Sequence, residues 1–263
     1  MPRPSASSRA AAATAPRRGR PPKSRGRPRN SALGPLSIYE AALALIDADG
    51  LAAFNIRALA SKLDVAPAAI YWHVPNRDAL VSGAIGLVLG GIANALPAGA
   101  SWQDAIRALI KGYREALRRH PKLAPAVATE LAYNADFDEP LLDHVVAALK
   151  SAGFKGDTLV DAFNVVVAAM SSFATLELSV APTEASDSWR DACMARIDAI
   201  DPQKHPALHS EREALRNRAF LMRWSDGIQS PLERSFDAWV DVIVRGLESR
   251  SRALRRASRT AKS

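Results

Sequence analysis

The sequence predicts an all-α fold, on three observations. Leu and Ala recur at helical spacing through most of the 263 residues. Helix start and stop signals punctuate the chain in pairs. No run of alternating apolar and polar residues is long enough to specify a strand, and glycine is scarce at 14 residues. The length supports one large domain or two modest ones with their own cores.

Charge is distributed unevenly. The formal net charge is +8, but residues 1–30 hold nine Lys/Arg and no acid, and residues 249–263 hold six and no acid. The segment 31–248 holds the other 20 basic residues and all 27 acidic ones, a net −7. A mildly acidic body with basic ends delivers its positive charge through the ends and is not a general polyanion binder. The single cysteine, Cys193, excludes an intramolecular disulfide and fits a reducing compartment. The N-terminus has no long apolar core of the secretory kind. Val81–Ala98 has the length of a membrane span, but its four Gly, Ser, Asn and Pro favour a buried helix. A soluble, cytoplasmic protein with no membrane partner is expected.

Residues 1–30 are rich in Ala, Ser, Pro and Arg and poor in large apolar residues, so a disordered tail is expected. It repeats Arg18-Gly19-Arg20-Pro21 as Arg25-Gly26-Arg27-Pro28. A Gly between arginines lets the backbone lie flat while the side chains extend along a narrow A·T minor groove. That core resembles an AT-hook. A solvated tail held near DNA by phosphate attraction alone is the other reading, and both stand.

A small module is expected over 31–80. Ser37-Ile38-Tyr39-Glu40 reads as a capping box opening a helix that carries Ile38, Ala42, Leu45 and Ile46 and stops at Gly50. Asn55 caps a helix over Ile56–Leu63. The turn Asp64-Val65-Ala66 leads into a second helix with Pro67 at its first position, where the missing N–H costs nothing. The expected core is Leu45, Ile46, Phe54, Leu59, Leu63, Val65 and Ile70. Two short helices across a three-residue turn, the second ending in Tyr71-Trp72-His73, have the outline of a helix-turn-helix.

The body, 81–250, follows. Asn76 caps a helix reaching to about Leu96 and connecting the module to the body. Ser101-Trp102-Gln103-Asp104 opens a helix with Trp102, Ile106, Leu109, Ile110, Tyr113 and Leu117 on one face, ending before Pro121. A short helix at about Lys122–Leu131 comes next, then one from Asp138-Glu139-Pro140 to Gly153 that carries His144. Asp157–Val180 is apolar nearly all round, so it is central or covered by a partner. Ala181–Ser210 reads as a connection, with a helix near Glu211–Trp224 after it. Ser230-Pro231-Leu232-Glu233 opens a last helix ending near Arg250, and 251–263 reads as a disordered basic tail.

Leu36–Val81, above all Ile70-Tyr71-Trp72-His73-Val74-Pro75-Asn76-Arg77-Asp78-Ala79-Leu80, resembles the DNA-binding domain of the tetracycline-repressor (TetR/AcrR) family. The resemblance is close over about 45 residues and loose over the rest. It implies that Arg57 reaches a base edge, where an Arg forked onto guanine is worth about 1–3 kcal/mol of discrimination. Ala68 and Ala69 fall at recognition positions and can offer only apolar contact, as to a thymine methyl. Asn55, Tyr71, Trp72, His73 and Arg77 are the implied phosphate contacts, which position without specifying. Arg18, Arg20, Arg25 and Arg27 would serve the minor groove. Three departures thin the base code: Ala66 stands where a hydroxyl often caps, Asp64 replaces a turn Gly, and Ile56 replaces a residue that commonly touches phosphate.

The resemblance also implies a homodimer whose helices over Asp157–Val180 and Ser230–Arg250 pair with their copies, through Phe163, Leu232, Phe236, Trp239, Val240, Ile243 and Val244. Two copies would present two readers to a palindromic double-stranded operator. The family's metal–drug chelate is held partly by a His at the place of Val127 here, so that inducer is not expected. An uncharged or amphipathic small molecule is expected instead, near His144, Asn164, Met170 and Phe173, although His144 reads more readily as a satisfied or rim histidine and Met170 and Phe173 as plain core. No nucleotide loop, metal-ligand cluster or nucleophile elbow occurs. No enzyme, metal or cofactor is expected. The function implied is a ligand-responsive regulator, foremost a repressor. The competing reading is an architectural or AT-rich-DNA-binding protein without an inducer.

Overall fold

The computed structural model describes residues 33–95, 99–127, 139–179 and 187–260, and those described are helical or irregular throughout. The arginine repeat with Arg18, Arg20, Arg25 and Arg27 lies outside them. From Gly34 onward the chain forms one compact unit.

The first helix, α1, spans Pro35–Asp49 and starts earlier than the capping box suggested. Gly34 is the extended cap and Pro35 takes the first helical position, where proline needs no donor. Ser37 therefore reaches back from inside the first turn. Its hydroxyl accepts from the Gly34 N–H at 3.2 Å and donates to the Gly34 carbonyl at 2.9 Å. At the far end Gly50 turns with φ +83°, its N–H donating to the Ile46 carbonyl at 2.8 Å. Few residues other than glycine take that backbone conformation.

Helices α2 (Ile56–Leu63), α3 (Pro67–Tyr71) and α4 (Arg77–Leu89) complete the small module. Asn55 and Asn76 cap α2 and α4 as expected, their Oδ1 atoms accepting from the N–H groups of Ala58 at 2.9 Å and Ala79 at 2.8 Å. Asn76→Ala is expected to cost about 1 kcal/mol, read as a fall in denaturation midpoint. Ile38, Ala42, Ile46, Phe54, Leu59, Ile70, Val74 and Leu80 are the buried core. Leu45, Leu63 and Val65, expected there, are only half-buried, because Val74 and Leu80 from beyond α3 occupy the centre. Gly83 lets α4 lie close to α1: a Cβ there would fall 2.3 Å from the Tyr39 ring.

α4 ends at Leu89, not near Leu96. Gly90-Gly91 follows, two residues costing about 1 kcal/mol each in a helix interior, and the chain tightens into a single 3-10 turn at Ala93–Ala95. Val81–Ala98 is thus no continuous span.

In the body α5 (Trp102–Arg119) packs against α4, α6 (Glu139–Ala152), α7 (Gly156–Glu177) and α10 (Glu233–Thr260). Its cap is as expected: the Ser101 hydroxyl accepts from the Asp104 N–H at 3.2 Å. The end of α5 meets the end of α1, where His120 Nδ1 lies 2.8 Å from Asp47 Oδ2 and Lys122 Nζ donates to the Ala48 carbonyl at 2.6 Å. Of the stretch 181–210 expected as a connection, residues 187–198 form α8 (Asp187–Asp198), and α9 (Pro206–Leu215) begins within it. They were illegible because only Ile197 is buried on α8 and nothing is buried on α9. The helix expected near Glu211–Trp224 stops at Leu215, and Asn217 turns with φ +53°.

α10 departs from expectation at both ends. It starts at Glu233, since Glu233 is engaged by Arg114 and Arg118 and the Leu232 N–H donates to Glu177 instead of a local cap. It then continues ten residues beyond Arg250, so the basic segment is helical as far as Thr260. α7 is the only helix among the described residues long and apolar enough to cross a membrane, and it packs one flank into the body.

Candidate nucleic-acid interface

The helix-turn-helix is held from below. Asp64 ends α2 in the left-handed region (φ 53°, ψ 47°), a conformation Asp tolerates better than most residues, and the Val65 N–H donates to the Ala60 carbonyl at 3.0 Å. Ala66 precedes α3 without a side-chain cap. Leu59, Ala60 and Ile70 turn inward. The outer face is then fixed by helical geometry: Arg57, Ala68, Tyr71, Trp72 and His73 are exposed and Ala69 half-buried. Trp72 is 87% exposed, so it contributes nothing to the core. Asn55, Ile56, Arg57, Pro67, Tyr71 and Arg77 line one shallow depression on this face.

Two residues on that face also have work inside the protein. Arg77 donates through Nη2 to the Leu51 carbonyl at 2.9 Å and through Nε to the Phe54 carbonyl at 3.4 Å, with its guanidinium 5.7 Å from the Phe54 ring centre. It pins the α1–α2 loop. Asn55 spends Oδ1 on its cap and donates from Nδ2 to the Ala53 carbonyl at 3.0 Å.

The four residues expected around an effector do not converge. His144 is exposed on α6, with Nδ1 donating to the Pro140 carbonyl at 2.7 Å. Asn164 is exposed on α7. Met170 and Phe173 are buried, Phe173 in an aromatic cluster with Phe220, Phe236 and Trp239 at centroid distances of 5.0, 5.2 and 6.4 Å. His144 sits about a quarter-turn from the buried line of α6, at its rim and not within it.

The dimer residues expected on α10 also divide. Leu232, Phe236, Val240 and Val244 face the protein's own core. Trp239, Ile243 and, on α7, Phe163 are half-buried, and Trp239 Nε1 donates to the Ala169 carbonyl at 3.2 Å. The outward apolar surface belongs to neighbouring positions: Val160, Val165 and Leu176 on α7 and Val242 on α10. Val165, Val242, Ile243 and Gly246 line a cleft between the two helices.

Behind the interface the body contains charges that the sequence reading missed. Arg114 is 2% exposed and donates to Glu177, 0% exposed, through Nε at 2.6 Å and Nη2 at 2.7 Å. Its Nη1 reaches Glu233 at 2.7 Å, and Arg118 Nη1 reaches the same carboxylate at 2.5 Å. Glu177 also accepts from the Leu232 N–H at 2.8 Å, and Arg114 sits 4.3 Å over the Phe236 ring. Burial alone would push the Arg114 guanidinium down, but its bonds to Glu177 and Glu233 more than offset that and hold it above its ordinary value. Arg114 lies on the buried stripe of α5 between Tyr113 and Leu117, and Glu177 ends an otherwise apolar helix; those two misfits were the available signal. Tyr113 is buried with its hydroxyl unpartnered among the described residues, and burial raises its pKa, so it stays protonated.

An exposed cationic and aromatic face on a three-helix module, backed by a larger helical body, defines a helix-turn-helix DNA-binding protein. Residues 38–84 match the family described as bacterial regulatory proteins, tetR family, and residues 96–249 match the tetracyclin repressor-like C-terminal domain. The chain belongs to the TetR family of DNA-binding transcriptional regulators, and is not an enzyme. It is 30% identical over 220 residues to the class D tetracycline repressor of Escherichia coli, covering 83% of this chain and 90% of that one. An HTH-type transcriptional regulator of Saccharopolyspora erythraea is 33% identical over 117 residues, 44% of this chain and about half (49%) of that protein's length. Among solved structures, ActR of Streptomyces coelicolor in complex with (S)-DNPA matches with TM-score 0.64 at 19% identity, over 83% of this chain and 98% of that one. BioQ with its double-stranded DNA operator matches with TM-score 0.50 at 27% identity, over 56% and 87%.

Proposed function

We propose that this chain is a homodimeric, ligand-responsive repressor that leaves a palindromic operator when a small effector binds its body. The observation that carries the reading is the shared exposure of Arg57, Ala68, Tyr71, Trp72 and His73 on one face of the helix-turn-helix. Arg57 is the base-reading group. Tyr71, Trp72 and His73 hold phosphate and sugar, Ala68 and Ala69 offer apolar contact to bases, and Asn55 and Arg77 add donors at the rim. BioQ, bound to its operator, supports the DNA partner, and ActR, bound to (S)-DNPA, supports a small-molecule one. Binding DNA in this way places the protein in the cytoplasm.

The effector is small and uncharged or amphipathic, enclosed among apolar helices of the body. The buried, unpartnered Tyr113 hydroxyl is one polar anchor for it among the described residues. A ligand that prefers a different body conformation draws the population away from DNA by its differential affinity. Two joints carry that change: α4, packed on both α1 and α5, and the contacts of His120 and Lys122 with the end of α1.

The test is selection of bound sites from random duplex DNA, which should return a two-fold symmetric motif. On that motif Arg57→Ala is expected to reduce the preference over random DNA by about 1–3 kcal/mol, or roughly 5- to 150-fold. Arg77→Ala should weaken both duplexes alike and flatten the salt slope by about 1. Equal losses on both duplexes from Arg57→Ala would sink the base-reading role.

A further inference from the structure

The last turns of α10 form a second cationic surface, far from the first. Arg250, Arg252, Arg255, Arg256 and Arg259 fall on a helix that runs to Thr260, with no acid after Glu248. At 100° per residue Arg252, Arg255, Arg256 and Arg259 share an arc of about 100°. Ser251 and the buried Val240, Val244 and Leu247 centre about 100° round the helix from this arc, and its four arginines are exposed. Its centre lies about a quarter-turn from the outward line through Val242 and Gly246, which leaves it open when that line is covered.

Few of these charges are neutralised. Arg250 pairs with Asp161 at 3.4 Å and Arg252 with Glu248 at 3.3 Å, both exposed pairs of the kind worth little, and Arg255 donates to the Ala152 carbonyl at 3.3 Å. Among the described residues no acid pairs with Arg256 or Arg259. A cation in the final turn favours any helix C-terminus, but that effect fades within one turn and does not account for a strip reaching back to Arg252.

Position excludes this strip from the reader's own DNA. The α10 start, Glu233, bonds Arg118, two residues before the His120 that meets α1. Arg252 to Arg259 lie 19 to 26 residues further on, about 28–39 Å along the axis. Gln103 at the opposite end of α5 bonds Glu248 at 2.8 Å, so α10 runs away from the reader.

We propose that the C-terminal end of α10 binds the phosphate backbone of a second DNA segment, so that the protein bridges two duplexes. The inference rests on the reading that the helix-turn-helix holds the first. All four cations of the arc are Arg, whose planar fork suits phosphate. A membrane surface would need a large apolar face, and the segment offers only Ala253, Leu254 and Ala257. A regulator already on DNA also meets a high local concentration of duplex.

The full chain, tethered to beads at its N-terminus, is saturated with its selected duplex in one colour and offered an unrelated duplex in another. Retention of the first colour reads the helix-turn-helix; retention of the second reads α10. The variant R252A/R255A/R256A/R259A should hold the first colour within twofold and lose at least tenfold of the second. Second-colour retention by the unaltered chain should fall about twelvefold per doubling of salt, as four neutralised phosphates require. Removing residues 1–30 should leave it in place. Second-colour retention that persists in the fourfold variant overturns the proposal, whatever the 1–30 deletion does. Equal binding of phosphatidylserine vesicles or polyglutamate overturns the assignment to DNA. Loss of the first colour alone would count against the helix-turn-helix reading and leave the α10 comparison readable.

Discussion

Arg114→Met is expected to destabilise the protein by about 3–5 kcal/mol, because it strands the Glu177 carboxylate inside the body without its cation. Glu177 is fully buried and takes two of the three guanidinium bonds that Arg114 makes to carboxylates. Among the described residues the Leu232 N–H is the hydrogen-bond donor that remains to it. For a chain of this size the loss corresponds to roughly 6–20 °C in thermal midpoint at fixed protein concentration. The companion R114M/E177L should recover most of it, since replacing both members of a buried pair by apolar groups is often neutral. A single variant within 1 kcal/mol of the unaltered protein would show that the network is not what closes the body. Acid acts on the same clamp. Bonding from Arg114 leads the causes that hold Glu233 below its ordinary value of 4.5, with burial opposing and Arg118 adding. A carboxylate depressed in the folded state contributes stability that is present above its unfolded value and lost as pH falls through the folded one. The Glu233 contribution should therefore be complete at neutral pH, begin to fall as pH drops below its ordinary 4.5, and be gone only below its lower folded value.

Val242→Glu is expected to leave a folded monomer whose operator affinity has fallen by about 10²- to 10⁴-fold. Val242 is 65% exposed, so the substitution costs the isolated chain almost nothing. In the proposed dimer, however, the same surface meets itself across a two-fold axis, and two carboxylates replace an apolar contact. Val165, 42% exposed on α7, flanks the same cleft and should respond in the same sense. The affinity falls because the second half-site is no longer engaged intramolecularly. Sedimentation gives the mass and titration of the selected duplex gives the affinity. A dimeric variant with full affinity would move the interface elsewhere. Phe236 or Val244 would be a poor choice for this test, since each faces the protein's own core and a polar substitution would unfold it.

Most of the helical architecture could be read from side-chain chemistry close in sequence. Asn55, Asn76 and Ser101 are short-range caps, and Gly50 is a local stop, so each appeared where its neighbours required it. The exposed face of the helix-turn-helix followed from periodicity once Leu59 and Ile70 were assigned inward. Three things were not legible, each for its own reason. α8 and α9 bury almost nothing, and without burial there is no period to detect. On α10, Leu232, Phe236, Val240 and Val244 are the strongest stripe, and strength of pattern marks the core before it marks a partner's surface. Arg114 and Glu177 lie 63 residues apart, and each read alone as an interruption of an apolar face.

Synthesis order gives the buried network another meaning. The small module closes with contacts made inside 34–89, so it can fold as soon as that segment has emerged. Arg114 emerges next and waits for Glu177, 63 residues later, and for Glu233, 119 residues later. Gly227 must come between them, because its N–H donates to the Glu177 carbonyl at 2.7 Å and a Cβ there would lie 2.3 Å from Glu177 Cγ. Nascent chains thus acquire the DNA-reading face well before the charged centre of the body can shut. A chain released early has a reader and no regulator.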